Sequence, residues 1–96
     1  MKRDEVTAIL CEHLGDIARF GVISVHLFGS VARDEASEHS DVDILAKFER
    51  PLTFKRFMGF RLFLEDILNV KVDLVTERGL RDRVRSQVEK DAIRVA

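Results

Sequence analysis

The sequence predicts an α/β domain, a small sheet layered against helices. Three short apolar runs of strand length recur at Val22–Phe28, Val42–Phe48 and Val70–Thr76. Around and between them, apolar residues return every three or four positions, the spacing that gives a helix one buried face. Alternation of the two patterns along one chain is the mark of the α/β class.

The elements follow in order. From Arg3 to Phe20, the residues Val6, Ile9, Leu10, Leu14, Ile17 and Ala18 keep helical spacing, and Gly21 suits the position after a helix end. Val22–Phe28 reads as a buried strand broken at Gly29. Val31–Ala36 is expected as a short helix capped by Ser30, and Ala36–Ser40 as a polar loop. Val42–Phe48 is a second strand, stopped by Glu49-Arg50 and by Pro51, the only proline. Thr53–Asn69 is a long helix with Thr53 as its cap, and Val70–Thr76 a third strand. Beyond Gly79, the residues Leu80, Val84, Val88 and Ala92 mark a last helix.

Composition narrows the function. At 96 residues the chain is expected to form a single domain over 1–96, with little room for a large enclosed pocket. A formal net charge of -1 provides no general attraction for nucleic acid or anionic lipid, so neither a nucleic acid as direct ligand nor a membrane is expected. The one cysteine, Cys11, excludes an internal disulfide and cannot make a thiolate zinc site alone, and its place beside the first apolar stripe predicts a core position. The start of the chain, Met1-Lys2-Arg3-Asp4-Glu5, lacks the apolar segment of a signal peptide, and no apolar stretch reaches spanning length. A cytoplasmic protein is expected.

The chemistry resides in three acids. Asp41 and Asp43 stand at the head of the second apolar run, and Asp73 lies inside the third. Acids in strand-like surroundings are costly unless a cation compensates them. Alternate residues of a strand share a face, which puts the Asp41 and Asp43 Cα atoms roughly 6.6–7 Å apart on one side. Catalytic metal pairs lie about 3.5–4 Å apart, a span that two such carboxylates can cover. Mg²⁺ takes few protein carboxylates and completes its shell with phosphate oxygens and water, so these acids suit a metal–triphosphate site. Gly29-Ser30 supplies the other half, because glycine lets the backbone approach a phosphate and the serine hydroxyl and following amides can donate to it. Arg33, one turn on, has the reach to join the same phosphates.

Taken together, Gly29-Ser30, Ala32-Arg33, Ser40-Asp41-Val42-Asp43-Ile44-Leu45 and Val72-Asp73-Leu74-Val75 resemble the signature of minimal nucleotidyltransferases of the DNA polymerase β superfamily. Within that group the chain is most similar to MNT-type antitoxins encoded beside HEPN-domain toxins. The resemblance implies a small mixed β-sheet with helices packed against it. It also implies Mg²⁺-dependent transfer of a nucleoside monophosphate from a triphosphate, ATP in the first instance, to a hydroxyl. Gly29 and Ser30 would hold the β and γ phosphates, and Asp41 and Asp43 would bind two metal ions. Asp73 would join the metal that activates the attacking hydroxyl. The implied partner is a HEPN-type toxin that receives AMP on a tyrosine and is silenced by it. Two alternatives are an antitoxin that acts by binding alone, and a transferase subunit that modifies a small molecule or RNA end beside a separate recognition partner. One departure from the pattern is Asp34-Glu35, where many relatives have glycine.

Two surfaces are candidates for the partner. The Thr53–Asn69 helix is apolar over a wide arc, with Phe54, Phe57, Met58, Leu64 and Leu68 in one sector and Phe60, Phe63 and Ile67 extending it sideways. The sideways sector is expected either to cover the sheet or to meet a partner. Arg78, Arg81 and Arg85 form the second candidate face. His13, His26 and His39 show no metal-ligand spacing.

Overall fold

The computed structural model describes residues 2–32, 41–76 and 93–95, Ser30 by its backbone alone. Helices α1 (Arg3–Glu12) and α2 (Leu14–Arg19) lead into strand β1 (Val22–Phe28) and the single turn α3 (Gly29–Ala32). Strand β2 (Val42–Phe48), helix α4 (Phe54–Leu68), strand β3 (Val72–Thr76) and the two-residue strand β4 (Ile93–Arg94) follow. The sheet runs in the order β3-β2-β1-β4. β1 is antiparallel to both β2 and β4, whereas β2 and β3 are parallel. The expected α/β architecture with a mixed sheet therefore holds.

Parity assigns the two faces of the sheet. Val42, Ile44, Ala46 and Phe48 of β2 join Val25, Leu27, Val72 and Leu74 in a core closed by Val6, Leu10, Ile17, Phe60, Leu64 and Leu68 from the helices. The helical layer thus covers one side of the sheet. The intervening residues, Asp43 and Lys47 among them, turn to the other side.

Local chemistry sets the element ends. The Thr53 hydroxyl accepts the Arg56 amide at 3.1 Å, the N-cap that the sequence predicts, of a kind that contributes about 1 kcal/mol. Arg56 also ties the end of β2 to the start of α4, donating to the Glu49 carbonyl and, at 2.7 Å, to that of Pro51. Gly21 follows α2 with φ +75°, a conformation that glycine adopts freely, and a Cβ there would press on the Arg56 guanidinium.

Several expectations require correction. The first helix breaks at His13, whose backbone leaves helical geometry (φ -117°, ψ 22°). With its proton on Nδ1, the His13 ring donates at 2.8 Å to the Ile9 carbonyl and meets Phe63 edge-on, so a tertiary contact overrides the continuous apolar period. Cys11 is exposed rather than buried, because it follows the fully buried Leu10 and turns off the core stripe. The short helix starts at Gly29, so Ser30 falls inside its first turn instead of capping it. β3 begins at Val72, after Asn69 has closed α4 in the left-handed region with φ 54°. β4 was not expected; it is too short for a periodic signal and is held by pairing with His26 and Leu27 and by the Val95 amide donating to Val25.

The Phe-rich helix turns its sideways sector to the protein's own core, the first of the two expected alternatives. Phe60 is fully buried and Phe63 lies 5.2 Å, centroid to centroid, from Phe20, whereas Phe54 is 80% exposed. Within the sideways sector Phe60 is core, while Phe63 and Ile67 are half-buried against it, with Phe20 and His13 closing over Phe63. Arg33, Asp34, Glu35, His39, the Arg78, Arg81 and Arg85 face and the predicted last helix lie outside the described residues.

Candidate active site

Strand pairing assembles the acids. β2 and β3 run parallel with Asp43 opposite Asp73 and Val42 opposite Val72. Paired residues of parallel strands share a face, and neighbouring strands lie about 4.8 Å apart, so the Asp43 and Asp73 carboxylates stand side by side. Val42 and Val72 point the other way and are buried, which anchors both acids from beneath. Asp41 precedes β2 and is exposed at the rim. Asp43 and Asp73 thus share one face at one end of the sheet, and Asp41 lies at the same end, lining a cleft with Phe57 and Arg61 of α4.

The Gly29 turn meets them there. On the other side of β2, Phe28 pairs with Asp43, and Gly29 follows with φ +69°. A Cβ on Gly29 would overlap the Asp43 carboxylate, with Cγ only 3.1 Å away. The missing side chain is therefore what admits Asp43 beside the turn. Behind it, Val31 and Ala32 are buried, and Arg3 of α1 donates to the Ala32 carbonyl at 3.3 Å.

The β3 side carries residues that the motif did not reveal. Glu65 of α4 accepts the Val72 amide on Oε2 at 3.0 Å, and the Arg61 guanidinium lies 3.8 Å from the same oxygen. A cleft of about 290 Å³ opens here, lined by Asp41, Phe57, Arg61, Lys71 and Asp73 with their neighbours. A larger cavity of about 510 Å³ lies at the opposite end of the strands, where its described lining includes one acid, Glu49.

The donor set suits a hard divalent cation, which prefers carboxylate oxygen. Two carboxylates in register repel each other until a cation neutralises them. Among the described residues no three His, Cys, Asp or Glu side chains, Asp41, Asp43 and Asp73 included, stand grouped so that together they could hold a metal ion. That arrangement is compatible with Mg²⁺, which needs one or two carboxylates and takes the remainder of its octahedron from phosphate and water.

Residues 7–95 match a family described as the nucleotidyltransferase domain. The chain belongs to this nucleotidyltransferase family. It is 37% identical over 93 residues to protein adenylyltransferase MntA of Thermococcus cleftensis, covering 96% of this chain and 94% of that protein. A solved structure described provisionally as a minimal nucleotidyltransferase superposes with a TM-score of 0.84 at 44% identity, over 97% of this chain and 95% of the other. The fold also matches, with a TM-score of 0.70 at 20% identity, a chain from the complex of a tri-AMPylated Shewanella oneidensis HEPN toxin with its MNT antitoxin, over 98% of this chain and 71% of that one. Nucleotidyltransferase members thus share both the sequence and the shape of this domain.

Proposed function

We propose that this nucleotidyltransferase transfers AMP from ATP to a hydroxyl of a partner HEPN-type toxin and so acts as its antitoxin. The observation that carries the reading is the register of Asp43 with Asp73 beside a glycine turn that only a residue without Cβ could make there. Asp41, Asp43 and Asp73 would hold Mg²⁺, two ions in the full site, and when bound the metal would neutralise phosphate charge and lower the pKa of the attacking hydroxyl. Gly29 and Ser30 are the proposed seat of the β and γ phosphates.

The chain's own groups then divide the reaction. The acceptor oxygen attacks the α phosphorus, and the bond from that phosphorus to the oxygen bridging to the β phosphate breaks. Pyrophosphate leaves on the Gly29 side, while the proton of the acceptor hydroxyl passes to the Asp73 carboxylate. Placing both reactants in line accounts for much of the rate, since oriented groups reach effective concentrations of about 10⁵–10⁸ M. The chain contains no tyrosine, so a tyrosine acceptor has to belong to another protein.

The test is the fate of the label. With Mg²⁺, ATP labelled at the α phosphate and a purified HEPN-type toxin as the proposed partner, label is expected on that toxin, and with γ-labelled ATP none. Transfer from the γ position alone would make the reaction a phosphorylation and refute the assignment.

A further inference from the structure

We infer that Glu65 is a positioning residue for Asp73, fixing the acid on which the acceptor's proton is proposed to land; the inference rests on the transferase reading above. Glu65 lies on α4, outside every motif that carries the nucleotide chemistry. Its carboxylate nevertheless accepts the amide of the residue preceding Asp73, at 3.0 Å.

Strand geometry explains why that amide needs a partner. The Val42 amide donates to the Lys71 carbonyl at 3.0 Å, so this carbonyl faces β2. The amide of the same peptide unit, that of Val72, must then point away from β2, toward the outer side of β3. An unmet strand donor loses order and exchanges with solvent. Glu65 meets it from the side, bracing the first residue of β3 against a helix whose neighbouring turns are locked by the fully buried Leu64 and nearly buried Leu68. Arg61, one turn earlier on α4 and 3.8 Å away, holds the carboxylate toward the strand.

The consequence falls on the next residue. Asp73 is exposed, so its own side chain has little packing to hold it. Its position is set by the backbone on either side, which pairs it with Asp43. With the Glu65 brace removed, the start of β3 frays and the Asp73 carboxylate drifts from that register. A displacement of about 1 Å at a reacting group can cost roughly 100-fold in rate. ATP, proposed to bind on the Gly29 side, is unaffected.

The experiment compares Glu65→Ala, Glu65→Gln and Glu65→Asp with the parent, by transfer kinetics and by two readouts independent of turnover. Glu65→Ala is expected to lower kcat for transfer by at least about tenfold with KM for ATP little changed. Glu65→Gln keeps an acceptor oxygen at the same reach and is expected to restore most of kcat. Glu65→Asp, one methylene shorter, is expected to resemble the alanine variant. In hydrogen exchange the Val72 amide should be protected in the parent and the glutamine variant and lose protection in the other two. With Mn²⁺ and a non-hydrolysable ATP analogue, paramagnetic broadening of the Asp73 resonance should be strong in the parent and weaken in Glu65→Ala.

An alanine variant with parental kcat and full Asp73 broadening would overturn the inference, leaving Glu65 a strand cap alone. A glutamine variant as slow as alanine would overturn it too, because charge and not the hydrogen bond would then be responsible. Should Glu65→Ala fail to fold, Glu65→Asp decides, and parental kcat there refutes the role. If the parent transfers nothing, the transferase reading fails separately, and Asp73 broadening still decides whether Glu65 positions that residue.

Discussion

Asp73→Asn is expected to lower AMP transfer by about 10²–10⁴-fold, the range for loss of a positioned general base. The amide keeps the shape of the side chain but can neither take the proton of the attacking hydroxyl nor present a full negative charge to a metal. Asp73 is exposed and its pairing partner Asp43 is also acidic, so the substitution removes a repulsion without opening a cavity. The melting temperature should therefore be unchanged or slightly higher. Single-turnover transfer from α-labelled ATP measures the loss directly. A variant within tenfold of the parent would mean that the acceptor is activated elsewhere.

Gly29→Ala is expected to damage both fold and site. At φ +69° an alanine sits in left-handed geometry, which costs roughly 1–2 kcal/mol before any contact is counted. In a domain of this size each kcal/mol shifts Tm by about 4–8 °C. The new methyl would also occupy the place of the Asp43 carboxylate, so one of them must move, and Asp43 would leave its register with Asp73. Transfer should fall to background in a protein that still folds at reduced Tm. Gly15→Ala supplies the control. Gly15 lies within α2, where an added Cβ meets nothing within 4 Å, and alanine there should be neutral or stabilising by up to about 1 kcal/mol. Parental transfer in Gly29→Ala would show that the turn and Asp43 do not share a site.

Much of this site could be read in the chain before any fold was known, for a physical reason. An acid inside a run such as Val72-Asp73-Leu74 violates the burial preference of its neighbours, and a violation of that kind stands out in one dimension. The strand Val42–Phe48 was legible in the same way, with its predicted bounds matching the observed ones. Register was not legible. Nothing in the order of residues states that Asp73 falls opposite Asp43 and not one position along, because that depends on how β2, α4 and β3 settle together. The division of the Phe-rich helix was hidden for a similar reason. Its apolar arc exceeds what one sheet face needs, and the positions of Phe20 and Phe48 decide that Phe60 is core while Phe54 stays in solvent. Glu65 left no trace, since its spacing fits an ordinary exposed helix position beside Arg61 and its role arises only where α4 passes the start of β3.

The central claim, that the clustered acids and the Gly29 turn form one metal–nucleotide site, is tested most directly by melting. The parent and an Asp41→Asn, Asp43→Asn double variant are heated with and without Mg²⁺ and ATP. Ligand that binds the folded state alone stabilises it by about 2.7 kcal/mol at a hundred times Kd, which in a domain of this size is a rise in Tm of roughly 10 °C or more. The parent is expected to show that rise only when metal and nucleotide are both present. The double variant is expected to lose that rise. An equal rise in both proteins would contradict the account.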